Sequence, residues 1–152
     1  MANMNQVRIR NMTIDDYSQV YELWLNTPGM GLNNIDDSEG GIIKYLERNP
    51  NTCFVAERHS HIIGAILSGH DGRRGTISHT AVAQSEQGKG IGTALVNAAM
   101  SAFESIGINK VNLVVFEKNE KGNAFWEKQG FTVRNDLVYR NKAIADLERI
   151  DT

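Results

Sequence analysis

The stretch Gln87-Gly88-Lys89-Gly90-Ile91-Gly92 decides how this chain is read. Its glycines stand directly before an apolar face, Leu95, Ala98, Ala99, Ala102 and Ile106, that recurs at helical spacing. Just upstream, Thr76 to Val82 reads as a strand. Glycines between a strand and a helix let the backbone approach an anion closely, and the free N–H groups of the helix start point at it. The context therefore predicts a phosphate-bearing ligand. Two common phosphate turns are excluded by spacing. A P-loop needs Gly, four residues, then Gly-Lys-Ser/Thr, whereas Gly88-Lys89 is followed by Gly90. A dinucleotide-binding turn needs Gly-x-Gly-x-x-Gly early in a βαβ unit, whereas Gly92 comes one residue early and follows hairpins.

Working outward, the segment before the turn reads as hairpins. Thr52 to Glu57, Ile62 to Ser68 and Thr76 to Val82 are strands, joined through His59-Ser60-His61 and through Asp71-Gly72-Arg73-Arg74-Gly75. Further upstream, Gln6 to Arg10 alternates as a first strand. Thr13 and Asp16 stand at capping-box spacing before Ile14, Tyr17, Tyr21 and Trp24. Pro28-Gly29 ends that helix, and Ser38 caps a second one that stops before Pro50. Downstream, Gly107 stands where a helix end wants positive φ. Val111 to Phe116 is nearly all apolar, as a strand buried on both faces must be. A helix from about Glu120 to Gln129 ends at Gly130, and two short strands follow, Phe131 to Arg134 and Leu137 to Arg140. The order β-α-α-β-β-β-α-β-α-β-β predicts an α/β fold with a mixed, mostly antiparallel sheet and about four helices. No repeat or linker divides it, so residues 1–152 are expected to form one domain.

Composition narrows the function. The 152 residues suffice for a sizeable core, and 41% hydrophobic with 22% charged residues describes a globular chain. A net charge of -2 leaves no basic excess for covering nucleic-acid phosphates. Cys53 is the only cysteine, so neither an internal disulfide nor a thiolate metal cluster can form, which suits a reducing compartment. No leader-like apolar region or membrane-length run is seen, and a cytoplasmic monomer or homodimer is expected.

The glycine turn resembles the pyrophosphate loop of the GNAT N-acetyltransferase superfamily, Gln/Arg-x-x-Gly-x-Gly/Ala, with Gln87, Gly90 and Gly92 in the matching places. The family's Asn-x-x-Ala-x-x-x-Tyr followed by Gly-Phe is similar to Asn119, Gly122, Trp126 and Gly130-Phe131. Gly122 replaces the Ala and Trp126 the Tyr. The resemblance covers essentially the whole chain, because the order of elements agrees too. It implies acetyl-CoA as acyl donor. The amides from Gly88 through Lys89, Gly90, Ile91 and Gly92 to Thr93 would hold the pyrophosphate, and Ala81 and Val82 would pair with pantetheine as an added strand would. It further implies that the strands at Thr76–Val82 and Val111–Phe116 splay around the thioester. Asn119 would touch the pantetheine arm, and Asn123 and Trp126 would line the cofactor's far wall. Lys89 either reaches a phosphate or is a solvated surface lysine.

Transfer to an amine needs a neutral nucleophile. A lysine near 10.4 must lose its proton against about 3.4 units at pH 7, about 4.6 kcal/mol, whereas an α-amine near 8 needs only about 1 unit. A lysine acceptor thus demands a base. The Glu that some family members carry before the Asn motif is Val114 here. His79, on the strand beside the proposed thioester, is the candidate proton handler, against its reading as a structural histidine in a sheet. Asp36, Asp37 and Glu39, in what the resemblance makes the acceptor wall, would attract a cationic amine, against plain helix capping. With Trp126 unable to act as an acid, Tyr139 and Tyr45 are the phenols left to protonate the leaving thiolate, and packing is the competing role for both. No metal site is expected, and no membrane or nucleic-acid partner. The predicted activity is acetyl transfer to a primary amine of a small molecule or peptide, and the alternative is a coenzyme A-binding sensor without turnover.

Overall fold

The computed structural model describes residues 6–150. Its sheet has the order β1-β2-β3-β4-β5, formed by Arg8–Asn11, Phe54–Arg58, His61–His70, Gly75–Val82 and Val111–Asn112. The first four strands run antiparallel to their neighbours, and β5 is parallel to β4. Helices α1 (Tyr17–Leu25) and α2 (Glu39–Arg48) lie on one face. Helix α3 (Ile91–Ser105) packs on the other, with α4 (Glu120–Lys128) beside it. This is the mixed, mostly antiparallel α/β architecture that the sequence predicts, with four α-helices among the described residues.

Two apolar clusters hold the layers together. On the first face Val20, Leu23 and Trp24 of α1 and Ile42 and Leu46 of α2 cover Val55, Ala65, Leu67 and Ala81. On the second, Ile91, Leu95, Val96, Ala99 and Phe103 of α3 cover Ala56, Ile63, Ile66 and Ile77. Alternation along β2, β3 and β4, interrupted by register shifts at Ala56/Glu57 and Ile66/Ser68, sends side chains to both faces, so each strand serves both clusters. Truncating Leu95, fully buried there, would cost about 2–5 kcal/mol. The helical face is a little different from the expected one: α3 ends at Ser105, so Ile106 leaves the helix and is exposed while Phe103 fills the core.

The start of the chain behaves as its polar residues dictate. Thr13 donates its backbone N–H to Asp16 Oδ2 at 2.9 Å, closing a 3-10 turn (Ile14–Asp16) that leads into α1. Ser38 accepts from the Gly41 N–H and starts α2. Two expectations for the C-terminal third fail. Val111–Phe116 is not buried on both faces: pairing stops at Asn112, Val114 is 73% exposed, and Phe116 is partly exposed. The strands expected at Phe131–Arg134 and Leu137–Arg140 do not form either. Alternating apolar residues describe a face, but a strand also needs a partner edge. Here Arg134 and Asp136 pair with each other across a turn, and Val133, Leu137, Val138 and Tyr139 face solvent. The tail finds its backbone partners elsewhere. Asn34 N–H donates to Glu148 O and Ile150 N–H to Leu32 O, each at 3.0 Å, with an isolated bridge between Asn33 and Arg149.

Candidate active site

Strands β4 and β5 are joined only at Gly75–Val111 and Thr76–Asn112. Strand β4 continues to Val82, still paired on its other side with β3 through Gly64. From Ile77 onward its β5-facing edge is therefore open, and the two strands part. The segment after β5 is pulled toward α4 instead, because Asn123 Nδ2 donates to Phe116 O and Asn119 O. The ladder between them thus ends well before β4 does, in keeping with the divergence expected of Thr76–Val82 and Val111–Phe116.

At the far end of β4 the chain makes a 3-10 turn (Gln84–Glu86) and enters the glycine turn. Gly88 and Gly90 have φ of 78° and 84°, a conformation that L side chains seldom adopt. No atom lies within 4 Å of a Cβ built on either one, so the turn is open on its outer side. The first bond of α3 is Ala94 N–H to Gly90 O, at 3.0 Å. The N–H groups of Ile91, Gly92 and Thr93 consequently have no acceptor within the helix, and they stand at the positive end of a 15-residue macrodipole. These residues fit a pyrophosphate. Gly92 serves packing as well. A Cβ there would sit 3.1 Å from the Phe125 ring, so its absence lets α4 pack against α3. Gln87 donates to Val82 O at 3.1 Å and ties the turn to the strand end. Glu86 accepts from Arg58 and, at 3.2 Å, from Lys89, and these two cations hold its carboxylate below its ordinary range.

Asn119 is the N-cap of α4, accepting from Gly122 N–H at 2.9 Å. A Cβ at Gly122 would lie 2.5 Å from Asn119 Nδ2 as it stands here, so the glycine lets the capping side chain lie close over the first turn. Trp126 is half-buried between Phe125 and Phe131, edge-on to both, with centroids 5.0 and 5.3 Å away. Much of its surface is therefore core.

On the opposite face the loop between α1 and α2 delivers the acidic residues, and it separates them. Asp37 is 4% exposed and Asp36 faces solvent. A Cβ on Gly41 would fall 2.3–2.4 Å from the carbonyls of Asp36 and Ile35, so only glycine lets α2 begin this close to the loop. Asp37 Oδ1 lies 2.7 Å from His79 Nε2 and Oδ2 accepts the Asn33 N–H at 2.8 Å. Its carbonyl takes the Tyr17 hydroxyl at 2.7 Å. Burial pushes that phenol up to about 12, so it stays a donor at neutral pH. His79 meets the Trp24 ring edge-on, with centroids 4.9 Å apart. Asp36 Oδ2 accepts from Asn33 Nδ2, and Glu39 is exposed in the first turn of α2.

Thus Asp37 and His79, read from the sequence as separate candidates, are one hydrogen-bonded pair. Tyr139 is not brought to them; it is 70% exposed on the segment after α4, without a hydrogen bond among the described residues. The Tyr45 phenol is raised by burial and lies against Asn49 and Gly69. Sequence reasoning missed Asn33 and Phe116. Phe116 lies across the Gly29–Gly31 loop, within 3.6–3.7 Å of where their Cβ atoms would be, under the Arg149 guanidinium. The only sequence signal for it was an aromatic at the end of a short strand. Among the described residues no group of His, Cys, Asp and Glu is arranged to hold a metal ion, and no helix is long and apolar enough to cross a membrane.

A strand that parts from its neighbour, followed by an open glycine turn at a long helix, agrees with the family model for acetyltransferases of the GNAT type, which matches residues 17–131. The chain belongs to the GNAT acetyltransferase family. Members of this family use acetyl-CoA. One relative of this GNAT protein, an acetyltransferase of Yersinia pestis (strain Pestoides F), is 28% identical over 142 residues, 93% of this chain and 99% of the relative. Two solved structures share the GNAT fold. Ard1 from Thermoplasma volcanium has a TM-score of 0.76 at 21% identity over 84% of each chain. A ribosomal-protein-alanine N-acetyltransferase from Brucella melitensis has a TM-score of 0.67 at 19% identity, over 91% of this chain and 99% of that one.

Proposed function

We propose that this GNAT acetyltransferase moves the acetyl group of acetyl-CoA to a primary amine of a small molecule or peptide, by direct attack on the thioester. The observation that carries the reading is the open edge of β4 running straight into the open Gly88–Gly90 turn. It provides main-chain groups for an extended pantetheine arm, then free amides for a pyrophosphate. In this reading the N–H groups from Gly88 to Thr93 bind the phosphates, and Ala81 and Val82 align the arm. Asn119 and Trp126 border it.

Acetyl-CoA is the donor substrate: its carbonyl carbon takes the amine's electron pair, the C–S bond breaks, and coenzyme A leaves as thiolate. A main-chain N–H near Val82 polarises the carbonyl. His79, two residues before Ala81 on β4, takes the proton that the amine must lose. Asp36 and Glu39, exposed on either side of Asp37 in the sequence, favour a cationic acceptor. The thiolate needs no dedicated acid, since a thiol near 8.5 is only weakly basic once ionised and water can protonate it. That agrees with Trp126 standing where a phenol would otherwise be, and with Tyr139 lying out in solvent.

The test is thiol release from acetyl-CoA over a panel of primary amines. Steady release that depends on one amine class is expected, with the acetylated amine seen by mass spectrometry. Tight binding of acetyl-CoA without turnover on any amine would instead mark a coenzyme-binding domain.

A further inference from the structure

The buried contact between Asp37 and His79 assigns a tautomer. A carboxylate can only accept, so at 2.7 Å the neutral ring must carry its hydrogen on Nε2. Nδ1 is then the nitrogen with a lone pair, and it makes no hydrogen bond among the described residues. Asp37 is itself immobilised. The Asn33 N–H occupies Oδ2, the Tyr17 hydroxyl occupies the main-chain carbonyl, and the start of α2 is pressed onto the preceding carbonyls at Gly41. The Trp24 edge fixes the ring plane from the side of α1 at an interplanar angle of 71°. A surface histidine would need none of this, and a histidine that merely filled space would not need a carboxylate that is 4% exposed.

We infer that Asp37 is a positioning residue, which locks His79 as the Nε2–H tautomer and so keeps the Nδ1 lone pair available for the proton of the acceptor amine. The inference rests on the reading of His79 as proton acceptor. In the step concerned, the amine N–H bond breaks, its proton bonds to Nδ1, and its electron pair stays on nitrogen for the thioester carbon. Asp37 stays ionised and stabilises the imidazolium that results. It thus acts through His79 and does not touch substrate, whereas the neighbouring Asp36 remains free to face it.

Asp37→Asn gives a sharp test, because Asn33 constrains how the amide can sit. The Asn33 N–H requires an acceptor, so the amide oxygen turns toward it and the amide NH2 turns toward His79. Nε2 must then accept, and the hydrogen moves to Nδ1. Imidazole nitrogen chemical shifts in the free protein read this directly, with the His79 signals identified by their loss in His79→Phe. The wild-type neutral ring is expected to show a protonated Nε2 and a bare Nδ1, and Asp37→Asn to show the reverse. In turnover, kcat should fall at least a hundredfold with the KM for acetyl-CoA unchanged. A wild-type ring protonated on Nδ1 overturns the inference, and needs neither a folded variant nor an active enzyme. A reversed tautomer with undiminished kcat would instead dismiss His79 as the proton acceptor, while leaving acetyl transfer itself untouched.

Discussion

Asn123 Nδ2 donates to the Phe116 carbonyl at 3.1 Å and to the Asn119 carbonyl at 2.9 Å, and with the Asn119 N–H, which donates to the same Phe116 carbonyl at 3.0 Å, it holds the end of the β5 segment to the start of α4. This latch draws the chain away from β4 and keeps the cleft between the strands open. Asn123→Leu removes both bonds, and at about 0.5–1.5 kcal/mol each it should lower stability by about 1–3 kcal/mol. Thermal melting should show the loss, and the KM for acetyl-CoA should rise because the far wall is no longer held. A variant with native melting and native KM would mean that the latch is ornamental.

Gly90 and Gly72 share a left-handed backbone and open surroundings, at φ of 84° and 92°, but only Gly90 opens α3. Placing Asp at either position carries the same backbone strain, about 1–2 kcal/mol. Acetyl-CoA at a hundredfold over its Kd should stabilise the wild-type protein and Gly72→Asp by about 2.7 kcal/mol. Gly90→Asp should lose that stabilisation, because its carboxylate confronts the pyrophosphate. Equal ligand-induced melting shifts in the two variants would move the phosphate site elsewhere.

Asp36 is the exposed member of the acidic pair, and its attraction for a cation is long-range and screened. Asp36→Asn should raise the acceptor's KM several-fold at low salt. It should also flatten the dependence of kcat/KM on ionic strength and leave acetyl-CoA binding unchanged. Steady-state kinetics at two salt concentrations suffice, and an unaltered salt slope would confine Asp36 to organising its loop with Asn33.

Cys53 cannot supply a covalent acetyl-enzyme. Its side chain is fully buried, its thiol donates to Ser68 O at 3.2 Å, and burial pushes it up to about 12. A thiol-alkylating reagent should label the native protein negligibly over the time in which denatured protein labels fully, with activity retained. Stoichiometric labelling with loss of activity would revive a nucleophilic role.

Arg10 binds Asp16 through both carboxylate oxygens, at 2.9 and 2.8 Å, and also reaches Glu57 at 3.1 Å. Burial alone would raise Asp16, but Arg10 and the Thr13 N–H outweigh it and hold the carboxyl below its ordinary value. A folded value below the unfolded one means stability that is fully present above the unfolded value, near 3.9, and is lost as pH falls through the folded one. Asp16→Asn should therefore melt earlier at neutral pH, by about 1.5–3 kcal/mol for its charged hydrogen bonds. The gap from wild type should narrow below pH of about 4. A gap that is constant with pH would show that the charge contributes nothing.

Much of the fold was legible because it is written in local chemistry. Ser38 caps α2, Thr13 and Asp16 close the turn before α1, and the β3–β4 hairpin falls where Gly72 permits it. The glycine turn declared itself for the same reason, since Gly88 and Gly90 accept positive φ and the helix that follows leaves the first N–H groups, of Ile91, Gly92 and Thr93, unpaired within it. What misled was alternation without a partner. Leu137 to Arg140 carries a strand's pattern, but pairing is a property of two edges, and the tail makes its main-chain bonds to Leu32 and Asn34.

The sequence by itself determined the helices and hairpins, the open glycine turn and the identity of the acidic and basic side chains, because backbone preference and apolar spacing act within a few residues. Only the tertiary structure decided which of two adjacent aspartates meets His79. Asp36 and Asp37 are the same chemical group one residue apart. The contact with a strand 42 residues away arises from α2 starting tight against the loop at Gly41, and from Asn33 and Tyr17 gripping Asp37 from either side. A hydrogen bond of that separation depends on how the helical layer sits on the sheet, and that is fixed by the joint packing of Trp24, Ile42, Leu46 and Ala81 rather than by any one segment.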